Sequence, residues 1–383
     1  MMSAVLLIVA AVGAALIAAV LWDGFETVIL PRRITRRFRL ARFVYRGVWL
    51  PWRSLASRLP GTWRRENVLA FFGPLCFLVL LGTWVVLLMA GYGAVMWGLW
   101  PLTDLQGSHQ FGHYLYFSGT TFFTLGLGDV LPGSGGARTL TVLEAGNGFA
   151  FLALMISYLP MLYQAFSRRE VSVSLLDARA GSPPTAVEFL RRHALTGHPG
   201  VMEQALQEWE RWCAELLESH MSYPVLGYFR SQHDHQSWVA ALTAVLDASA
   251  LVIVGTDGPR RAAAQFTFAM ARHAAVDLYQ VFPARTPPAS DADRLPPETF
   301  ERMRAFLETL DIRIAEHAAQ RHLAELRAMY EPQVQSLSHY FLMELPDWMP
   351  HASIVDDWQT SPEGVAMFHP DGRSRARQAS RLP

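Results

Sequence analysis

The sequence "FFTLGLGDVLPG", residues 122–133, places three glycines and one acid within the most hydrophobic third of the chain. Glycine adopts backbone angles that residues with a side chain avoid. The regions on either side of residues 122–133 are long and apolar, and both favour helix. The glycine-rich stretch therefore predicts a break in regular structure between two apolar helices.

The apolar regions on either side are long enough to cross a bilayer. Residues 67–103 contain no charged side chain, and residues 139–167 contain only Glu144. A bilayer core of roughly 30 Å needs about 20 apolar residues in a helix. We therefore predict two membrane spans, one on each side of the loop.

A third apolar stretch lies at the N-terminus, in residues 3–22. A signal peptide is the alternative interpretation, but the stretch has no basic leader and no clear cleavage site of small residues. We interpret it as a retained transmembrane helix.

The charges between the first two spans predict the orientation. Residues 31–66 hold eleven arginines and one acid, Glu66, and short basic loops stay in the cytoplasm. The basic side chains are Arg32, Arg33, Arg36, Arg37, Arg39, Arg42, Arg46, Arg53, Arg58, Arg64 and Arg65. Arg168 and Arg169, after the last span, agree with this assignment. We expect the N-terminus outside, the glycine-rich loop on the outer side and the C-terminal part in the cytoplasm.

The segment between the second and third spans is too short to cross the membrane twice as helices. A short aromatic helix from about residue 112 to 123, followed by an extended return, would form a re-entrant loop. Such backbone is tolerated at membrane depth only where protein buries it or where it lines a watery path. Alternating Gly126 and Gly128 with leucines allows successive carbonyls to point the same way. A row of carbonyls about 16 Å long at most can replace the water shell of several cations.

The sequence "TTFFTLGLGDVLP" resembles the pore signature of potassium channels, Thr-Val-Gly-Tyr-Gly-Asp followed by Pro. Thr124, Gly126, Gly128 and Asp129 stand on matching positions. "GLGD" followed by Pro is most similar to the second pore loop of two-pore-domain potassium channels. Leu127 stands where the signature has an aromatic residue, so a weakly selective cation channel is a second interpretation.

The resemblance implies a role for each residue of the loop. Thr124, Leu125, Gly126, Leu127 and Gly128 would form the selectivity filter and bind permeant K⁺, and Asp129 would lie at the outer mouth. Since the chain holds one copy of the loop and no internal repeat, the fourfold ring implies a homotetramer. No cofactor is implied beyond the permeant K⁺.

The third span contains four further candidate residues and one acid. Gly146 and Gly148 favour either a hinge or close helix packing. Asn147 is a candidate for the cavity below the filter, and Pro160 for a kink at the gate. Glu144 is costly in lipid, and we expect it to face the protein and support the filter.

The basic segment has apolar residues at helical spacing: Ile34, Phe38, Ala41, Tyr45 and Val48. Such a helix would lie on the inner leaflet and bind anionic lipid. Nucleic acid is the alternative partner for arginines, but a segment tied to spans at both ends is poorly placed to bind it, so we expect none.

Residues after Glu170 predict a helical cytoplasmic domain, entered through the turn-rich linker "SLLDARAGSPPTA" at 174–186. One helical stripe comprises Met202, Leu206, Trp209, Cys213, Leu216 and His220, and another Phe300, Met303, Leu307, Leu310, Ile314 and His317.

Residues 238–255 are apolar enough for a fourth span, but Asp247 at the centre favours a buried helix. Cys213, His220, His233 and His235 are candidates for a metal or pH-sensing site, with scattered surface histidines as the commoner explanation.

These observations predict an all-α membrane protein with five segments. They are an N-terminal transmembrane helix (1–30), a basic interfacial segment (31–66), a pore domain (67–168), a cytoplasmic helical domain (169–370) and a disordered tail (371–383). Residues 170–383 lack a glycine-rich nucleotide-binding motif and a catalytic constellation, so we expect passive transport in a bacterial inner membrane and no enzyme. A membrane sensor with a signalling cytoplasmic domain is the remaining alternative.

Overall fold

The computed structural model describes residues 2–30, 39–100, 102–104, 110–196, 198, 200–232, 236–282, 284, 293–314 and 318–350 of the 383. The predictions for residues 31–38, for His233, His235 and His317, and for the tail 371–383 lie outside these residues. The chain divides into two compact units, Met1–Ala165 and Phe166–Pro383.

The N-terminal unit consists of long helices with one small sheet. Its helices are α1 (Met2–Gly24), α2 (Leu40–Ala56), α3 (Thr62–Leu99), the short α4 (Phe111–Phe122) and the first part of α5 (Gly135–Ala180). A π-helical turn, Phe25–Ile29, follows α1. Strands β1 (Leu102–Asp104) and β2 (Val130–Pro132) pair antiparallel, with Asp104 opposite Val130. The protein is thus an all-α membrane protein, in which the two strands only close the ends of the loop region.

Four helices in the described residues are long and apolar enough to cross a membrane. They are α1, α3, α5 and α8 (Trp238–Gly255), and the first three coincide with the predicted spans. In contrast, α8 is almost entirely buried inside the C-terminal unit. The sequence-based interpretation of residues 238–255 as a buried helix therefore agrees with the structure.

Small residues let α1 and α3 pack closely. A Cβ atom on Gly13 would lie 2.6 Å from the carbonyl oxygen of Gly91, and one on Gly98 would lie 2.4 Å from that of Leu6. In lipid, helices associate mainly through van der Waals contact, which small residues at the interface permit. The N-terminal helix is thereby an integral part of this unit.

Asp23, at the end of α1, joins three helices. Its carboxylate accepts hydrogen bonds from the backbone N–H groups of Leu40 (2.9 Å) and Ala41 (3.1 Å) and from Trp84 Nε1 (2.9 Å). Leu40 and Ala41 begin α2, so the acid satisfies two N–H groups that a helix start leaves unpaired. The basic helix α2 is thus anchored at its first turn to α1 and α3.

The C-terminal unit is built from helices around α8. Besides the end of α5, its helices are α6 (Ala186–Ala194), α7 (Val201–Ser222), α9 (Gly258–Val281), α10 (Pro297–Glu308), α11 (Ala318–Ala328) and α12 (Glu331–Phe341). Helices α9, α11 and α6 pack against α8, and α7 packs against α9. The buried Asp247 of α8 accepts hydrogen bonds from Arg294 Nη2 (2.6 Å) and from the Tyr330 hydroxyl.

Two sequence-based expectations for this unit are wrong in part. The segment 174–186 is not a linker throughout, because α5 continues to Ala180 and the turn begins at Gly181, where φ is +89°. The second apolar stripe does not lie on one helix, because α10 ends at Glu308 and Asp311 has a φ of +59°. The first stripe is confirmed: its residues from Met202 to His220 lie buried on α7.

Candidate functional site: the loop between α4 and β2

The short helix α4 leads directly into the glycine-rich loop. It extends over residues 111–122, one residue earlier than predicted, and packs against α3. Close approach is possible because Gly93 of α3 lies under the Tyr114 backbone and Gly119 of α4 lies against Met89. The C-terminal end of a helix carries roughly half a negative charge. Helix α4 therefore presents its cation-favouring end to the loop.

The loop backbone alternates in handedness. Positive φ occurs at Thr124 (+56°), Gly126 (+55°) and Gly128 (+79°), and not at Leu125 or Leu127 between them. In an ordinary strand all residues share one handedness and successive carbonyls point in opposite directions. Alternating handedness permits successive carbonyls to share one side of the strand. Leu125 and Leu127 are 62% and 65% exposed in the single chain.

Thr124 carries the conformational cost of this arrangement. A β-branched residue at positive φ is an outlier, and left-handed backbone costs about 1–2 kcal/mol for a residue with a Cβ. The backbone N–H groups of Thr124 and Leu125 donate to the carbonyls of Thr121 (3.0 Å) and Thr120 (2.7 Å), which fix the start of the loop. Strain of this kind concentrates at functional sites.

Asp129 is braced at the other end of the loop. The Tyr116 hydroxyl of α4 donates a hydrogen bond to Asp129 Oδ2, at 2.8 Å. The next residue, Val130, begins β2 and pairs with β1. The loop is therefore held at its start by α4 and at its end by the sheet.

Glu144 lies against α4. It is 1% exposed and accepts a hydrogen bond from the Ser118 hydroxyl, which also lies 2.9 Å from the Met89 carbonyl oxygen. Ser118 belongs to α4, Met89 to α3 and Glu144 to α5. One polar cluster thus joins α3, α4 and α5.

The other candidates on α5 have different environments. Gly148 is in close contact with the Phe122 backbone at the end of α4, whereas a Cβ on Gly146 would meet no atom within 4 Å. This geometry favours close packing at Gly148 and leaves Gly146 as the freer position. The Asn147 side chain, expected at a cavity, donates its amide to the Tyr92 hydroxyl of α3 at 3.2 Å. Helix α5 continues through Pro160.

Sequence reasoning did not find Tyr116, Ser118 or Asp23. Tyr116 and Ser118 lie on the aromatic helix before the loop. The sequence "YFS", residues 116–118, offers only the two side-chain hydroxyl groups as a sign of a polar role. Asp23 ends the first apolar stretch, but it lies in α1, 17 positions before Leu40, so no local capping signal connects it with α2.

Of the candidate metal or pH-sensing residues, the structure describes Cys213 and His220. Cys213 and His220 are both buried on α7, and His220 contacts Arg169. Within the described residues, no three or more His, Cys, Asp or Glu side chains are placed to hold a metal ion.

The comparisons with known proteins agree with this architecture. Residues 74–164 match the family model described as "Ion channel". The matched region contains most of α3, all of α4, the loop and the first part of α5. This part of the chain is therefore similar to ion channels, and the match supports ion channel activity.

The chain is also 26% identical over 186 residues to the "Uncharacterized membrane protein YdjJ" of Bacillus subtilis (strain 168). That alignment covers 47% of this chain, which spans about half, 53%, of the relative. No solved structure matches the chain.

Proposed function

We propose that the protein is a tetrameric, potassium-preferring cation channel that conducts passively through the backbone carbonyls of residues 124–128. The observation that carries the proposal is the alternation of handedness along Thr124, Leu125, Gly126, Leu127 and Gly128. Rings of carbonyls oriented toward one axis replace the hydration shell of a cation. The resemblance of the loop to potassium-channel signatures, above all those of two-pore-domain channels, supports potassium as the preferred ion.

The tetramer follows from the number of loops. One chain supplies one strand of carbonyls, and a ring of four strands then needs four chains. Exposed apolar side chains on α5 support such an assembly, because they offer surface for lipid and for neighbouring copies; they include Val142, Phe149, Leu152 and Ile156.

Potassium preference and weak selectivity are separable by experiment. Leu127 replaces the aromatic residue of the potassium-channel signature, so this position cannot donate a hydrogen bond from a ring hydroxyl. The filter is braced instead by the hydrogen bond from Tyr116 to Asp129. Purified protein in planar bilayers under bi-ionic potassium and sodium gradients gives the permeability ratio. A reversal potential near the potassium equilibrium value is expected, and equal permeabilities would leave the weakly selective channel.

A glycine variant tests whether the loop conducts. Gly126→Ala puts a Cβ on a residue at φ +55°, which costs about 1–2 kcal/mol and shifts the carbonyl row. Gly82→Ala is the matched control, because Gly82 lies in helix α3 and its new Cβ would meet nothing within 4 Å. Loss of potassium flux in Gly126→Ala alone supports the proposal, whereas equal flux in both variants would contradict it.

The proposed membrane is the bacterial inner membrane, with the N-terminus outside and the C-terminal unit in the cytoplasm. This orientation rests on the arginines of residues 31–66, and it places α2 at the inner leaflet, where Arg42, Arg46 and Arg53 attract anionic headgroups. Labelling of single cysteines placed on either side of the membrane in intact cells tests the orientation. Flux that falls when anionic lipid is omitted from the vesicles tests the lipid partner.

The helical C-terminal unit is proposed to modulate the pore. The alternative is a sensor in which the C-terminal unit carries the signal. Flux through a chain truncated near Arg169 distinguishes them, because a pore that conducts without the C-terminal unit makes that unit a regulator.

A further inference from the structure

Arg169 is buried in the C-terminal part of α5, and each of its three nitrogens donates a hydrogen bond. Its Nη1 donates to the Leu226 carbonyl (2.8 Å), its Nη2 to the Phe229 carbonyl (2.8 Å) and its Nε to Glu170 (3.0 Å). The guanidinium also lies 5.1 Å from the Phe166 ring centroid. This side chain connects the C-terminal part of α5 to the backbone of residues 226–229.

His220 of α7 completes the surroundings of Arg169. Its Nδ1 lies 2.9 Å from the Leu216 carbonyl oxygen, and its Nε2 lies 3.3 Å from Arg169 Nη1. A carbonyl oxygen only accepts, so Nδ1 carries the proton, and Nε2 is the acceptor for the arginine. The contact therefore requires the neutral imidazole.

A second proton on His220 is incompatible with this contact. It would occupy Nε2, remove the acceptor and place two cations beside each other away from water. Burial, followed by the charge of Arg169, lowers the pKa of His220 well below its ordinary value.

The elements packed around His220 supply little compensating charge. Among the described residues, the charged groups that face it are Arg169 and, through Arg169, Glu170. Glu170 also accepts from Ser231 (3.3 Å) and from the Gln232 N–H (3.3 Å). On the other sides are the Trp238 ring, 5.0 Å away between centroids, and the Ser219 hydroxyl of α7, 3.2 Å from Nδ1.

We propose that Arg169, Glu170, His220 and the carbonyls of Leu226 and Phe229 form a proton-sensitive latch, the α5 latch, which acidification on the side of the C-terminal unit releases. The same helix, α5, runs without a break from the pore loop region to the latch. Release of the C-terminal part of α5 therefore changes the open probability of the pore. This inference rests on the proposed channel function.

The direction of the effect follows from proton linkage. The latched state holds a neutral His220, while in the released state the imidazole titrates near its ordinary pKa. The latch therefore has its full stability above the pKa of His220 in the released state, and it loses stability as the pH falls below that value. Between about pH 7.5 and about pH 5.5 the ratio of released to latched protein should rise about tenfold.

Reconstituted full-length protein tests the latch. Potassium flux is measured while the pH on the side of the C-terminal unit is lowered from about pH 7.5 to about pH 5.5. We expect a reversible, several-fold change for the wild type and less than a twofold change for His220→Gln. The matched control is His273→Gln, because His273 is an exposed histidine of α9, and it should keep the full response. A full response in His220→Gln, or none in the wild type, overturns the inference.

A measurement on the unmodified protein covers the case in which His220→Gln does not fold. Hydrogen–deuterium exchange, corrected for intrinsic rates, should show about tenfold more opening in residues 225–229 at the lower pH, relative to α9. Unchanged protection overturns the latch even if the pore conducts. Absence of flux at every pH with pH-dependent exchange instead contradicts the channel function and retains the latch.

Discussion

Gly148 of α5 and Phe122 of α4 approach so closely that a Cβ atom on Gly148 would lie 2.1 Å from the Phe122 carbonyl oxygen. Phe122 is the last residue of α4, two positions before the loop at Thr124. Helix α5 therefore positions the start of the loop by direct backbone packing. Any side chain at Gly148 must move α4, and the loop with it.

Gly148→Ala should destabilise the protein by about 1–3 kcal/mol, because the added methyl group overpacks a backbone contact. Flux should fall in the same variant as α4 shifts. Thermal unfolding in detergent and potassium flux measure the two effects. Gly146→Ala, two residues away on the same helix, meets no atom in the chain and should unfold at the wild-type temperature or higher. Similar values for both variants would show that the close approach is unimportant.

Glu144→Ala should alter the permeability ratio or open probability more than Glu144→Gln. The glutamine retains an oxygen for the Ser118 hydroxyl, whereas alanine leaves a void between α5 and α4. Single-channel recording in bilayers measures both properties. Wild-type behaviour of Glu144→Ala would remove Glu144 from the support of the loop.

Asp23→Ala should lower the free energy of unfolding by about 1–3 kcal/mol, since it leaves the part-buried N–H of Leu40 and the buried N–H donors of Ala41 and Trp84 without an acceptor. Thermal unfolding in detergent checks this value. Asp257→Ala is the control, because Asp257 directly precedes helix α9, but its 94% exposed side chain makes no capping bond. Equal losses in both variants would contradict the assigned role of Asp23.

Asp247→Ala should destabilise the C-terminal unit by about 3–5 kcal/mol, because Arg294 loses the buried carboxylate that holds its pKa above the ordinary value. Tyr330→Phe should destabilise the unit less, since the Asp247 carboxylate still pairs with Arg294. Arg304→Ala, which removes a partly exposed pair with Glu301, should stay within about 0.5 kcal/mol. Calorimetry of the full-length protein compares the three, and a neutral Asp247→Ala would show that the pair contributes no stability.

The local features of the fold could be read from the sequence. Charge-free stretches located the spans, the 3.6-residue period located α7, and Asp247 correctly argued against a fourth span in α8. Where periodicity was misleading, as in residues 300–317, a turn at Thr309–Asp311 broke a pattern that looked continuous. Spacing alone does not reveal such a turn, because a residue such as Asp311 tolerates both helix and left-handed backbone.

By itself, the sequence determined which segments are apolar enough to leave water, where glycine permits left-handed backbone, and which short stretch resembles an ion filter. These properties depend on neighbouring residues. Only the tertiary structure decided that Glu144 meets Ser118, that Gly148 packs on Phe122, that Asp23 caps α2, and that Arg169 contacts His220. Each pair joins residues at least 17 positions apart, and such contacts are set by how whole helices pack together.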